Sequence, residues 1–286
     1  MRFNNLTFDE ERALYGIHNA EILNCAFTGP ADGESALKES GNIRVRDSQF
    51  LLRYPLWHVD GAELSGCLMT DTCRAALWYD KDLRIEKCSL GGIKALRECD
   101  NSVLVDCTIE SPEFGWYCRG VTLSGCSIQS EYLFLHSRDL DIGTLKLTGK
   151  YSFQYVENMT IRNSELNTKD AFWHSKNVTV IDSVIRGEYL AWYSENLKLI
   201  RCTIIGTQPL CYAKNLILED CEMIDCDLAF EKSDVQASVR GAILSVKNPQ
   251  SGSITTDAIG EVILDECRSA ENSCAIQEHR SMAAVY

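Results

Sequence analysis

The segment AFWHSKNVTVIDSVIRG, from Ala171 to Gly187, is answered nineteen residues later by LAWYSENLKLIRCTIIG, from Leu190 to Gly206. A short repeat at a fixed interval confines the chain to architectures that stack one small unit on the next. Stepping by nineteen from Cys202 reaches Cys88, Cys107, Cys126, Leu145, Ser164, Ser183 and Cys221, so eight consecutive repeats share one register. Looser spacings upstream add Cys25, Ser48 and Cys67, and a degenerate repeat downstream ends near Cys267.

Around this marker the chemistry recurs by position. Three residues before it stand Ile22, Val45, Leu64, Ile85, Leu104, Leu123, Ile142, Ile161, Val180, Leu199 and Leu218; two after it, Phe27, Phe50, Met69, Leu90, Ile109, Ile128, Leu147, Leu166, Ile185, Ile204 and Met223. Both rows are apolar throughout and read as interior ladders. Six before the marker every residue is Asn, Asp or Gly, the types that tolerate a left-handed backbone, so a tight corner recurs there.

A nineteen-residue unit of short β-type runs and corners is one turn of a β-solenoid. Stacked at the usual strand separation, about twelve turns make a rod of roughly 55 to 60 Å. Helical repeats need longer units, and the left-handed hexapeptide and pentapeptide solenoids favour periods of about eighteen and twenty. The expected fold is therefore all-β: a right-handed parallel β-helix forming one domain over residues 1–286. Residues 1–18 are expected to cap it, with a short helix over Phe8 to Gly16 shielding the first strand edges. Regular coils should fill 19–234, and irregular last coils with a closing tail 235–286.

The coil NVTVIDSVIRGEYLAWYSEN, the opening TFDEERALYG and the closing VKNPQSGSI and GEVILDEC resemble a bacterial family of unknown function with the pectate-lyase-like right-handed β-helix fold. The resemblance spans nearly the whole chain. It implies the fold and transfers no catalytic residue.

Charge narrows the partners. A formal net charge of -13 offers no basic stripe, which disfavours nucleic acid and anionic membranes. No apolar run reaches the roughly 18 to 20 residues of a membrane span, and the opening residues lack a secretion signal. These features point to a cytoplasmic location. In that setting the fourteen cysteines are expected as reduced, mostly buried filler, with Cys73, Cys226 and Cys274 outside the ladders as surface thiols.

Ten residues after the marker runs a polar aromatic row: Glu98, Tyr117, His136, Tyr155, His174, Tyr193, Tyr212 and Glu231. Four residues earlier lie Lys94, Glu113, Tyr132, Tyr151, Asp170, Tyr189, Gln208 and Asp227. By the two-residue period of a strand both rows share a side, together with Phe134, Phe153 and Phe172 between them, while Trp116, Trp173 and Trp192 point inward. If that side is wet, it suits an oligosaccharide: Tyr117, Tyr132, Tyr151, Tyr155, Tyr189, Tyr193 and Tyr212 would bind, and Asp170, His136, His174 and Glu113 are the candidates for proton transfer as in a glycoside hydrolase or polysaccharide lyase. If a bulge breaks the alternation, Phe and Trp turn inward as core stacking. A non-catalytic rod that binds protein or self-associates is the competing reading.

No cofactor is expected. His136 and His174, two coils apart, would lie about 9.6 Å from each other, too far to share a zinc ion. The adjacent aspartates and Gly-His-Gly segment of polygalacturonases do not occur.

Overall fold

The computed structural model describes residues 1–30, 33–265 and 273–278; Cys267 and most of the expected closing tail lie outside them. The chain is an all-β parallel β-solenoid with no helix among the described residues. It divides into two compact units, the first ending at Gly149 and the second beginning at Lys150.

In the first unit the turns carry two main strands, as in Asp100–Val105 and Thr108–Glu110, and three of them add a short third strand, Leu56–Trp57, Leu77–Trp78 or Leu96–Arg97. Successive turns pair in parallel, Leu104 opposite Leu123 and Ile109 opposite Ile128. The second unit repeats the scheme with Lys176–Ile181 and Val184–Arg186, where Val180 faces Leu199 and Ile185 faces Ile204. Both apolar rows are interior, as their composition requires: Ile85, Leu104, Val180 and Leu199 have no exposed surface. Phe27 stacks on Phe50 with centroids 4.8 Å apart, close to the strand spacing that brings the rungs together.

The recurring corner is left-handed, with φ of 54° at Asn177 and 55° at Asn196. In the second unit its asparagines form a hydrogen-bonded ladder, Asn215 to Asn196 to Asn177 to Asn158, at 2.8, 2.9 and 3.0 Å. One residue before the marker lies a second left-handed corner, at Asn24, Asp47, Lys87, Asp106, Thr144, Asp182 and Arg201. Arg201 there donates two bonds to the Asp182 carboxylate of the preceding turn, at 2.6 and 2.8 Å.

The expected N-terminal cap is instead a turn of the solenoid. Arg2–Asn4 pairs with His18–Leu23, and Thr7–Phe8 with Ala26–Phe27, so the Phe8 ring extends the Phe27 stack at 5.0 Å. Leu14 and Gly16 donate backbone bonds to Ala36 and Lys38 rather than closing a helix. With strands also at 234–263 and 275–278, the turns number about 14, not about twelve.

The described cysteines are free thiols. Cys73 and Cys226 are completely buried, contrary to the surface placement expected of them, and burial pushes their thiols up to about 11 and about 12. Among the described cysteines Cys274 alone is half-exposed.

Candidate functional site

At residues 151–155, 170–174, 189–193 and 208–212 the third side of the turn is not a strand, whereas three turns of the first unit carry a two-residue strand there, Leu56–Trp57, Leu77–Trp78 and Leu96–Arg97. This difference sets where the aromatic rows point. In the second unit, residues 170, 172 and 174 are all left-handed, with φ of 52°, 60° and 54°. Residues 151, 153, 155 and 189, 191, 193 repeat the pattern. Left-handed and ordinary residues therefore alternate along this wall. The outer two left-handed residues donate their N–H to the next turn, Asp170 to Glu188 at 2.9 Å and His174 to Trp192 at 3.0 Å. The middle one, Phe172, donates back to Ser152 at 3.0 Å.

This backbone replaces the two-residue period by another order. Phe153 and Phe172 turn inward, fully buried and stacked at 5.2 Å, as does Phe134 in the first unit. The flanking rows stay outward. A left-handed non-glycine residue costs about 1 to 2 kcal/mol, and burying a Phe returns about 1.5 to 3 kcal/mol, so the inward ring offsets much of the strain of its turn.

Trp173 and Trp192 depart from the inward placement expected of them. They are half-exposed and stack on each other at 5.4 Å with planes 2° apart. Their indole N–H groups donate to the backbone carbonyls of Tyr189 and Gln208, at 2.7 and 2.8 Å. Trp116 in the first unit does the same to Tyr132, at 2.8 Å. Because the indole needs a carbonyl, it sits at the wall rather than in the core.

Tyr155, His174, Tyr193 and Tyr212 form one continuous column in the second unit, with centroids 4.8, 5.0 and 4.9 Å apart and planes within 13° of parallel. Tyr155 and Tyr193 are 43% and 46% exposed. The column ends where the Tyr212 hydroxyl donates to Glu231 at 3.4 Å; burial and that carboxylate raise the Tyr212 hydroxyl above its ordinary range. Beside it runs the row of Tyr151, Asp170 and Tyr189, in which Asp170 is only 7% exposed. Burial raises the Asp170 carboxyl, Lys169 lowers it and Glu188 raises it further.

The first unit carries the remaining candidates. Tyr117 stacks on His136 at 5.4 Å, and Tyr132 meets Trp116 edge-on at 6.3 Å. Glu113 pairs with Lys94 at 3.2 Å, so its carboxylate is already engaged. This unit also holds an aromatic group absent from the sequence reading: Trp57 on Trp78 at 5.2 Å, His58 on Tyr79 at 5.1 Å, and Lys38 3.8 Å from the Trp57 centroid. The turn between these pairs is twenty-one residues long, so stepping by nineteen passes over it. Among the described residues no three His, Cys, Asp or Glu side chains are grouped to hold a metal ion.

The chain belongs to the family described as protein of unknown function, DUF3737, whose model matches residues 1–277. No curated protein matches it by sequence. Among solved structures it is similar to the A-module of the Azotobacter vinelandii mannuronan C-5 epimerase AlgE4, at 10% identity and a TM-score of 0.41, over 84% of this chain and 89% of that one. It is also similar to a mutant tailspike protein of E. coli bacteriophage HK620 in complex with a hexasaccharide, at 8% identity and a TM-score of 0.37, over 97% and 67% of the two chains. A third similarity is to PfbA, a surface adhesin of Streptococcus pneumoniae, at 9% identity and a TM-score of 0.34, over 82% and 70%.

Proposed function

We propose that this member of the DUF3737 family binds an extended, uncharged oligosaccharide along the aromatic wall of its second unit. The observation that carries the reading is the unbroken Tyr155, His174, Tyr193, Tyr212 column, which presents a polar ring edge every 4.8 to 5.0 Å. That interval is close to the advance of one pyranose unit in an extended glycan. Successive sugars would meet successive rungs, taking hydrogen bonds from the hydroxyl and imidazole edges and apolar contact from Trp173 and Trp192. The net charge of -13 favours an uncharged ligand over an anionic one.

The test is a glycan array with a thermal-shift screen of neutral oligosaccharides, on wild type and on the Tyr155→Ala, His174→Ala double variant. A wild-type shift abolished in the double variant supports the site; a shift that survives it removes the column from the ligand's path. A protein-binding rod is the second reading, favoured by Ile205 and Ile224, register partners on an outward strand face with Ile224 38% exposed. It predicts a stable oligomer by mass measurement and no sugar-induced shift.

A further inference from the structure

The outward rows of the wall contain one residue that does not behave as a surface residue. Asp170 occupies the position that Tyr151 holds one turn before and Tyr189 one turn after, yet only 7% of it is exposed. Its backbone is clamped from both sides: its carbonyl accepts a bond from the Gln154 side chain at 3.0 Å, and its N–H donates to the Glu188 carbonyl at 2.9 Å. Its carboxyl, by contrast, has no hydrogen bond or ion pair among the described residues. Nor are its oxygens among the fully enclosed, unpartnered atoms, so they keep some accessible surface. Buried carboxyls are ordinarily satisfied within the protein, and one held rigidly with its oxygens free points to a partner from outside.

The neighbouring turn supplies a second acid. Glu188 is exposed, immediately precedes Tyr189, and is close enough to Asp170 for its charge to act on that carboxyl. The two acids sit in different surroundings, one largely enclosed and one in water, which is the condition that separates an acid from a base. Aromatic rings flank both along the direction in which the proposed oligosaccharide would run.

We propose that Asp170 and Glu188 are the proton-transfer pair of a glycoside-hydrolysing centre on this wall, which rests on the oligosaccharide reading above. Asp170 gives its proton to the glycosidic oxygen as the bond from that oxygen to the anomeric carbon breaks. Glu188 takes a proton from the water whose oxygen forms the new bond to the anomeric carbon. One sugar leaves as an alcohol and the other as a hemiacetal, and no oxidant, reductant or metal enters the balance. Burial keeps Asp170 protonated to higher pH than an ordinary aspartate, which is the form the step uses.

The experiment incubates the full chain with neutral hexose, pentose and N-acetylhexosamine oligosaccharides labelled at the reducing end, reading binding by thermal shift and cleavage by chromatography. Wild type should cleave an oligosaccharide that it binds. Asp170→Asn should bind the same compound with an unchanged shift and cleave it about 10² to 10⁴ times more slowly. Glu188→Gln, on an exposed side chain that the fold does not need, should lose a similar factor. It should also move the alkaline limb of the residual rate to lower pH, because the charge that raises Asp170 is gone. Wild type that binds without cleaving, or Asp170→Asn that cleaves at the wild-type rate, overturns the pair and leaves the binding wall standing. Wild type shifted by no oligosaccharide overturns the wall and the pair together.

Discussion

Asp80 offers a quantitative test of how the solenoid interior is satisfied. It is completely buried, its Oδ1 accepts the Val59 N–H at 2.8 Å, and its Oδ2 has no partner. Burial raises its carboxyl well above the ordinary 3.8, against a smaller lowering by backbone bonds at Val59 and Trp78. Stepping by nineteen leads from Asp80 through Cys99 and Cys118 to Ser137, whose hydroxyl accepts from Cys118 N at 2.9 Å and donates to the Gly115 carbonyl. Asp80→Ser should reproduce that arrangement. Removing an unsatisfied buried oxygen gains about 1 to 3 kcal/mol, and the small void left behind costs about 0.5 kcal/mol. Linkage adds a pH-dependent part. The folded chain holds a proton that the unfolded chain releases above about pH 4, so wild-type stability falls as pH rises, by about 1.4 kcal/mol per unit until the raised value is passed. The variant lacks this slope, so its advantage over wild type should be larger at pH 7 than at pH 5. Urea unfolding of both proteins at the two pH values, followed by tryptophan fluorescence, measures the difference with all other titrations cancelling. A gap equal at both pH values would refute the neutral, buried carboxyl. A variant less stable than wild type at pH 7 would refute the cost assigned to its orphan oxygen.

Phe153→Ala, which empties a fully buried site stacked on Phe172 at 5.2 Å, should cost about 3 to 5 kcal/mol in urea unfolding, whereas Tyr155→Ala on the exposed column should cost far less. Trp173→Phe keeps most of the ring but abandons the 2.7 Å bond to the Tyr189 carbonyl, and should lower stability by about 1 kcal/mol. In native protein treated briefly with iodoacetamide, peptide mass spectrometry should find Cys274 alkylated well before Cys73 or Cys226; equal labelling would contradict their burial.

The parts of the fold legible in the sequence are those where one residue type answers one demand. The Asn, Asp and Gly row reports its corner because left-handed φ selects for those types, and the aliphatic rows report the interior because burial selects for them. The second corner is equally left-handed and mostly Asn, Asp or Gly, as at Asn24, Asp47, Gly66, Asp106, Gly125, Asn163 and Asp182, but Lys87, Thr144 and Arg201 interrupt the row and blur its signal. The tertiary pairing of Arg201 with Asp182 holds such a residue where its own preference would not. The third wall leaves two readings open in the sequence, a strand period or a broken alternation that turns Phe inward, for a related reason. A strand period places Phe172 with Asp170 and His174, but alternate residues of this segment are left-handed, so the structure has the other arrangement, with Phe172 inward. Asp80 has no such signature, because a lone acid in a β-run gives no hint of enclosure.

The wall geometry also decides how a ligand could be read there. Within the column each ring face is covered by the next ring at about the coil spacing, which leaves no room for a sugar between rungs. Recognition by ring faces would therefore be confined to the ends of the column and to the tryptophans, while the long side would be read through hydroxyl and imidazole edges. Tyr193 separates these modes, since it is 46% exposed and its hydroxyl has no partner within the described protein. Tyr193→Phe preserves the stack on His174 and Tyr212 and deletes only the hydroxyl. If edges carry the recognition, it should weaken binding of the oligosaccharide found in the screen by the worth of one hydrogen bond, about 0.5 to 1.5 kcal/mol or roughly 2- to 12-fold, with no change in melting temperature of the free protein. Affinity unchanged in Tyr193→Phe but lost in Trp192→Ala would mean that ring faces hold the ligand and that the column serves only to keep the tryptophans in place.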